Sequence, residues 1–201
     1  TFRPQNRPTR DILHVCGLLA TGDSLDVLVV HLPSRSGGAK VSEPYRMLVA
    51  GKIRSIADSL LTTRLHPQLI IMGDFNDYPN NKSITQTLGA LAPPPHAAPV
   101  QRYDLISRRA ETEKYSFGSY KYQGEWGLLD HLIISGTLLD ISSPFHTDEK
   151  KANVARLPFL LSNDEKYGGK QPFRTYSGIK YLGGYSDHLP IYTDFEIIRN
   201  N

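Results

Sequence analysis
The chain is short of cysteine, of long apolar runs and of net charge, and each shortage closes off a class of protein. Its single cysteine, Cys16, excludes an internal disulfide and a zinc site built on cysteines. Cys16 sits in an apolar stretch, which predicts a small buried core side chain rather than a nucleophile. No apolar run approaches the ~18 residues that a membrane-crossing helix requires. The opening Thr-Phe-Arg-Pro-Gln-Asn-Arg-Pro has no apolar centre and does not read as a signal peptide. It also lacks an initiator Met, so the expectation is that the native N-terminus precedes this chain. A net charge of +3 permits a phosphate-bearing partner without demanding nucleic acid. There is no internal repeat and no composition shift that marks a domain boundary. The compartment stays open on these grounds.

What is present fits one globular domain over residues 1–201, with 39% hydrophobic and 21% charged residues in an ordinary balance. The most informative stretch is Leu-Ile-Ile-Met-Gly-Asp-Phe-Asn-Asp-Tyr-Pro at 69–79. Its first four residues predict a buried strand, and Gly73 lets the backbone turn. Asp74 and Asn76 follow two residues apart, which on extended backbone puts both side chains on one side. A carboxylate and an amide then share one volume just past a strand end, where open α/β architectures place ligands. Taken alone, the same residues also suit a plain polar turn. An EF-hand loop is excluded: counted from Asp74, its sixth position is Pro79 rather than Gly, and its twelfth is Thr85 rather than Glu.

In chain order, residues 11–19 and 25–32 predict a hairpin turning at Gly22 and Asp23, with His31 at the end of the second strand. Ser42 is a plausible N-cap, and Val49, Ile53, Ile56 and Leu60 recur at helical spacing over 43–61. Strand, helix and the strand at 69–72 then form a crossover unit that favours parallel neighbours. Residues 82–91 suit a short helix, and the prolines at 93–95 and 99 force a loop. Strands are expected at 115–122, 128–135 and 191–198. Asp130 falls inside the second of these, where a carboxylate needs a partner. The polar, Gly-rich and basic span 142–184 suits a functional rim or a solvated excursion.

His31, Asp74 with Asn76, Asp130, and Asp187 with His188 thus stand at or near strand ends. Together they suit hydrolysis of a phosphate ester. Phosphoryl transfer spreads charge over the non-bridging oxygens and needs an in-line nucleophile. A hard divalent cation takes oxygen ligands from Asp or Asn. A histidine binds phosphate or moves a proton, and a buried Asp orients it.

His-Leu-Pro-Ser-Arg at 31–35, Gly-Asp-Phe-Asn-Asp at 73–77, Leu-Asp-His-Leu-Ile-Ile-Ser at 129–135 and Ser-Asp-His-Leu-Pro at 186–190 occur in that order. Together they resemble the ordered motifs of the endonuclease/exonuclease/phosphatase superfamily, in wording most like its uncharacterised bacterial members. The resemblance runs from about Arg10 to the end. It implies a DNase I-like α/β fold: a four-layered sandwich of two mixed sheets flanked by helices. It also implies Mg²⁺, or Mn²⁺ in its place, and a phosphate-ester substrate that includes nucleic acid among the options. By the same resemblance Asp74 orients or deprotonates the attacking water and Asn76 holds a phosphate oxygen. His188 faces the scissile phosphate, Asp130 orients His188, and His31 is a second phosphate-facing histidine. Asp187 belongs to the metal site with Asp74 and Asn76, and Arg10 and Arg35 belong to the substrate side.

One departure stands out. The family's first strands carry an Asn and then a Glu that is the principal metal ligand, and nothing before Arg10 matches them. The expectation is therefore the C-terminal part of a family domain, with weak metal binding, little activity and an uncovered sheet edge. That edge would pair with a second copy or with an N-terminal segment. Two other readings compete. A serine hydrolase lacks its Gly-x-Ser-x-Gly elbow, and Ser186 lies too close to His188 to be a nucleophile with a separate base. A degenerate domain that binds a phosphorylated ligand or a protein without catalysis is the alternative within the family.

Overall fold
The structure is a computed structural model that describes residues 9–113 and 115–198. The opening octapeptide, where no match to the Glu-bearing strand was found, lies outside the described residues. The central feature is a six-stranded mixed sheet. Its strands are β1 (Leu13–Leu18), β2 (Ser24–His31), β3 (Gln68–Asp74), β4 (Ala90–Leu91), β5 (Arg102–Asp104) and, after a ribbon of β6 (Tyr120–Tyr122) with β7 (Glu125–Gly127), β8 (Asp130–Ser135). The spatial order is β1-β2-β3-β8-β5-β4. The predicted hairpin is β1–β2, and the predicted crossover unit makes β2 and β3 parallel neighbours.

The crossover helix α1 (Ala39–Thr63) starts earlier than expected. Gly38, at φ 108°, makes the turn into it, so Ser42 lies inside the first turns and donates its hydroxyl back to Gly38 O at 2.8 Å instead of capping. Residues of β2, β3 and β8 alternate between two cores, as the two-residue period of a strand requires. Leu28, Val30, Leu69, Ile71 and Ile133 pack with Val49, Ile53 and Ala57 of α1. Ile70, Leu132 and Ile134 face the other way, against Leu105, Leu128, Phe145 and Leu189.

The second side of the molecule is built from short antiparallel ribbons rather than long strands. The basic span contains Leu161–Asn163 paired with Lys170–Pro172 and Tyr176–Ser177 paired with Tyr181 and Lys180. It is tied down by the buried Lys121–Asp164 ion pair at 2.8 Å, so part of it is anchored rather than solvated. The expected last strand over 191–198 is two fragments. Ile191–Tyr192 pairs with Asn153–Val154, and Glu196–Ile197 pairs with Phe145–His146. The break falls where Asp194 O accepts the Thr147 hydroxyl at 2.6 Å, a bond that takes the carbonyl out of any ladder.

Cys16 corrects the composition-based reading. It lies on β1, an edge strand whose six residues are all exposed, and it is exposed with Arg64 Nη2 at 3.3 Å from its sulfur. Apolar neighbours in sequence do not bury a residue when no layer covers that face of the strand. No helix among the described residues is long and apolar enough to cross a membrane.

Candidate active site
Strand register assembles the site. β2 against β3 puts His31 opposite Asp74, and β3 against β8 puts Asp74 opposite Asp130. Directly opposed residues share a sheet face. The three side chains therefore form a row at one end of the sheet, on the face turned away from α1.

The turn after β3 holds the row in place. A Cβ at Gly73, which has φ 133°, would stand 2.0 Å from Val30 O, so only glycine lets β3 lie this close to β2. Asn76 adopts φ 52°, a left-handed conformation that asparagine tolerates better than most residues. Its backbone N–H donates to Asp74 Oδ1 at 2.7 Å. Its Nδ2 donates to Leu32 O at 3.0 Å and to Asp74 Oδ2 at 3.2 Å. Phe75 plugs the core beneath.

His188 reaches the row from a separate loop. Its Nδ1 lies 2.7 Å from Asp130 Oδ2, which also accepts the Ser119 hydroxyl. The loop is fixed by Leu189 N–H donating to Ser119 O at 2.7 Å, and the Tyr120 ring lies 5.0 Å from the imidazole. His31 Nε2 is 3.4 Å from Asp74 Oδ2. Burial pushes the Asp74 carboxyl above its ordinary range and the charge of Asp130 adds to this, against the opposing pull of His188. For His188, burial disfavours the cation, but the hydrogen bond and charge of Asp130, with Asp74 and Asp187, outweigh it and raise its pKa.

These groups open on one cavity of about 970 Å³. Of the residues singled out from sequence, His31, Arg35, Asp74, Asn76, Asp130, Asp187 and His188 all line it. Arg10 does not: it is exposed ahead of edge strand β1, outside the cavity wall. Arg35 lies with its guanidinium 4.9 Å from the Tyr78 ring centre, and its Nε is buried with no hydrogen-bond partner. A buried donor without a partner is costly, and an anion in the cavity would satisfy it.

Ligand atoms of Asp74, Asp130 and His188 lie within 4.8 Å of one another, a spacing a metal ion can bridge. Asp187 is exposed and stands outside that trio. Two carboxylates suit Mg²⁺, which keeps several waters and takes one or two carboxylates plus substrate oxygens. The donor set therefore fits a hard divalent ion, although Asp130 is already committed to His188 and Ser119.

Ser119, Tyr78, Tyr120 and Tyr122 also line or support the cavity and were not singled out from sequence. The aromatic run at 115–122 was the available signal, read only as a strand. A second pair was missed altogether. His131 Nδ1 lies 2.7 Å from Asp104 Oδ2, and its Nε2 lies 2.9 Å from Asp77 O. Asp77 in turn meets Arg46 Nε at 2.7 Å and accepts the Ser83 hydroxyl at 2.6 Å. All of these are buried, beneath the turn that carries Asp74 and Asn76.

Solved structures of the same fold include a mannosyl-6-phosphatase of Bacteroides thetaiotaomicron, 17% identical over 87% of this chain and 52% of its own, with a TM-score of 0.50. A humanized D. rerio TDP2 is 14% identical over 92% of this chain and 60% of its own, with a TM-score of 0.51. A conserved protein of unknown function from Enterococcus faecalis is 13% identical over 98% of this chain and 60% of its own, again at 0.51. The chain thus spans between half and two thirds of the length of these structures. No curated protein sequence matches it. A sequence model of the Endonuclease/Exonuclease/phosphatase family matches residues 2–197, nearly the whole chain, and the protein belongs to that family.

Proposed function
We propose that the protein is a divalent-metal-dependent phosphoric ester hydrolase acting by in-line attack of water. The observation that carries the reading is the row of His31, Asp74 and Asp130 across three strands, completed by His188 in the same cavity. Asp130 holds His188 by Nδ1, which leaves Nε2 as the ring nitrogen available to a phosphate oxygen or leaving group. The raised pKa favours the imidazolium, which stabilises a phosphoryl charge and can give up a proton. Asp74, held by Asn76 and carrying a raised pKa, is the acceptor that orients and deprotonates water. Arg35 and His31 supply positive or hydrogen-bonding groups to the remaining oxygens. Mg²⁺, or Mn²⁺, held by Asp74 with Asn76 and Asp187 nearby, would neutralise charge on the phosphate. A mannose phosphatase among the structural neighbours supports a small phosphate ester as readily as nucleic acid.

The test is a screen of the full-length protein with Mg²⁺ or Mn²⁺ against DNA, bis-p-nitrophenyl phosphate and sphingomyelin, with weak turnover expected of the 201-residue chain by itself. Metal-dependent hydrolysis of at least one, abolished by chelation and by His188→Ala, is expected. Turnover that survives both treatments would refute the reading.

A further inference from the structure
A second cavity of about 500 Å³ adjoins the first and shares Tyr78, Tyr120 and Tyr122 with it. Its walls include Tyr115, Phe117 and Trp126. The volume is that of a small-molecule site. Tyr120 joins the two chambers, since its ring lies 5.0 Å from His188 and stacks at 6.3 Å on Tyr122, the planes 10° apart.

The rings are held in place. Guanidinium groups lie 4.0 Å from the Phe117 centre (Arg109), 4.3 Å from Trp126 (Arg156) and 4.9 Å from Tyr78 (Arg35). Tyr78 can lie against β7 only because position 127 is glycine: a Cβ there would stand 2.8 Å from its Oη. Ordered rings lose little freedom when a ligand stacks on them.

The three arginines back the rings without lining the chamber, and the charged side chains on its wall are carboxylates, so the local charge is mixed. Glu111 and Glu125 are exposed on its wall, and among the described residues neither lysine nor arginine lines it. The wall thus offers a phosphate no direct cationic partner among the described residues, whereas an uncharged planar ring meets rings of the same kind.

We propose that this aromatic chamber is the subsite for a planar, uncharged ring carried by a small phosphate ester whose phosphate sits beside His188. The proposal rests on the phosphate-site reading above and assigns it a substrate class: ring-bearing esters over alkyl ones.

Trp126 is the sole tryptophan, so its emission reports directly on the chamber. The full chain is titrated in Mg²⁺ buffer with phenyl phosphate, butyl phosphate and inorganic phosphate, read by fluorescence and calorimetry. Phenyl phosphate should bind about tenfold more tightly than butyl phosphate and alone perturb Trp126, the gain expected from one aromatic stacking contact. Tyr115→Ala, at an exposed ring that lines the aromatic chamber and not the phosphate cavity, should cut that preference and leave inorganic phosphate unchanged. His188→Ala should weaken all three ligands and keep the preference. Equal binding of phenyl and butyl phosphate, or a preference undiminished in Tyr115→Ala, overturns the subsite while phosphate binding through His188 stands. Phosphate binding indifferent to His188, with the ring preference intact, overturns the phosphate-site reading alone. Binding of none of the three overturns both.

Discussion

Two histidine–aspartate pairs flank one strand, and they share a geometry while differing in everything around it. In each, a histidine Nδ1 lies 2.7 Å from a carboxylate oxygen. Asp130 and His131 are consecutive on β8, so the pleat sends them to opposite faces. The pair on the helix side, His131 with Asp104, is fully enclosed, and its second nitrogen meets Asp77 O. The pair on the open side, Asp130 with His188, is only partly covered and borders the large cavity. The same pair thus stabilises a turn where both nitrogens have protein partners. Where one nitrogen faces a cavity, it is left open to a ligand. Exposure of the second nitrogen, rather than the pair itself, separates structure from chemistry.

The sharpest break between the pairs is His188→Ala, expected to lower kcat/KM on a phosphate ester by about a thousandfold, within the range for a lost acid–base group. Its unfolding midpoint should stay within a few degrees of the parent. A midpoint collapse comparable to the activity loss would erase the distinction.

His131→Ala should do the reverse. Removing one member of a buried pair strands the other, at a cost of about 3 kcal/mol. At roughly 2–4 °C per kcal/mol for a chain of this size, the melting temperature should fall by about 10 °C. Thermal unfolding followed by circular dichroism measures this, and a fully stable His131→Ala protein would show that the enclosed pair holds nothing.

Ser119→Ala tests the support of Asp130 and should cost about tenfold in turnover, the worth of one hydrogen bond to a charged group. Steady-state kinetics decide it, with unchanged turnover placing Ser119 outside the site.

The pH dependence comes next. For His131, burial favours the neutral ring, but Asp104 outweighs it, so the folded pKa is raised as it is at His188. A raised folded pKa contributes stability that is full below the unfolded value near ~6.5 and is lost as pH rises through the folded one. Urea midpoints should therefore decline from about pH 6.5 upward, and less steeply in His131→Gln than in the parent. Parallel slopes in the two proteins would assign the decline to other groups.

The smallest effect is expected at Cys16. It is exposed on edge strand β1, so a thiol reagent should label it in the native protein without changing the unfolding midpoint. Its hydrogen bond with Asp26 raises its pKa, as does the carboxylate's charge, so labelling should be slow at neutral pH. A thiol that reacts only after denaturation would restore the buried reading.

Much of the fold was legible because period and punctuation are local. Gly22 and Asp23 marked the hairpin turn, the helical recurrence of Val49, Ile53 and Ile56 marked α1, and Gly73 marked the end of β3. Misreadings came where tertiary context overrode a local rule. Ser42 was displaced as a cap by Gly38, Cys16 was left uncovered, and residues 191–198 were divided between two partners. His131 went unremarked although it shares its strand with Asp130. A histidine in an apolar strand poses the same question as the carboxylate beside it.

Sequence alone determined which groups of chemical interest exist and roughly where along the strands they stand, because turn residues and apolar alternation are read from neighbours. The resemblance already implied that Asp130 orients His188, and only the tertiary structure decided how these groups meet. Strand register set His31, Asp74 and Asp130 in one row, and a loop distant in sequence delivered His188 to its end. The aromatic chamber beside them depends on ring orientations that packing imposes and that no local pattern encodes.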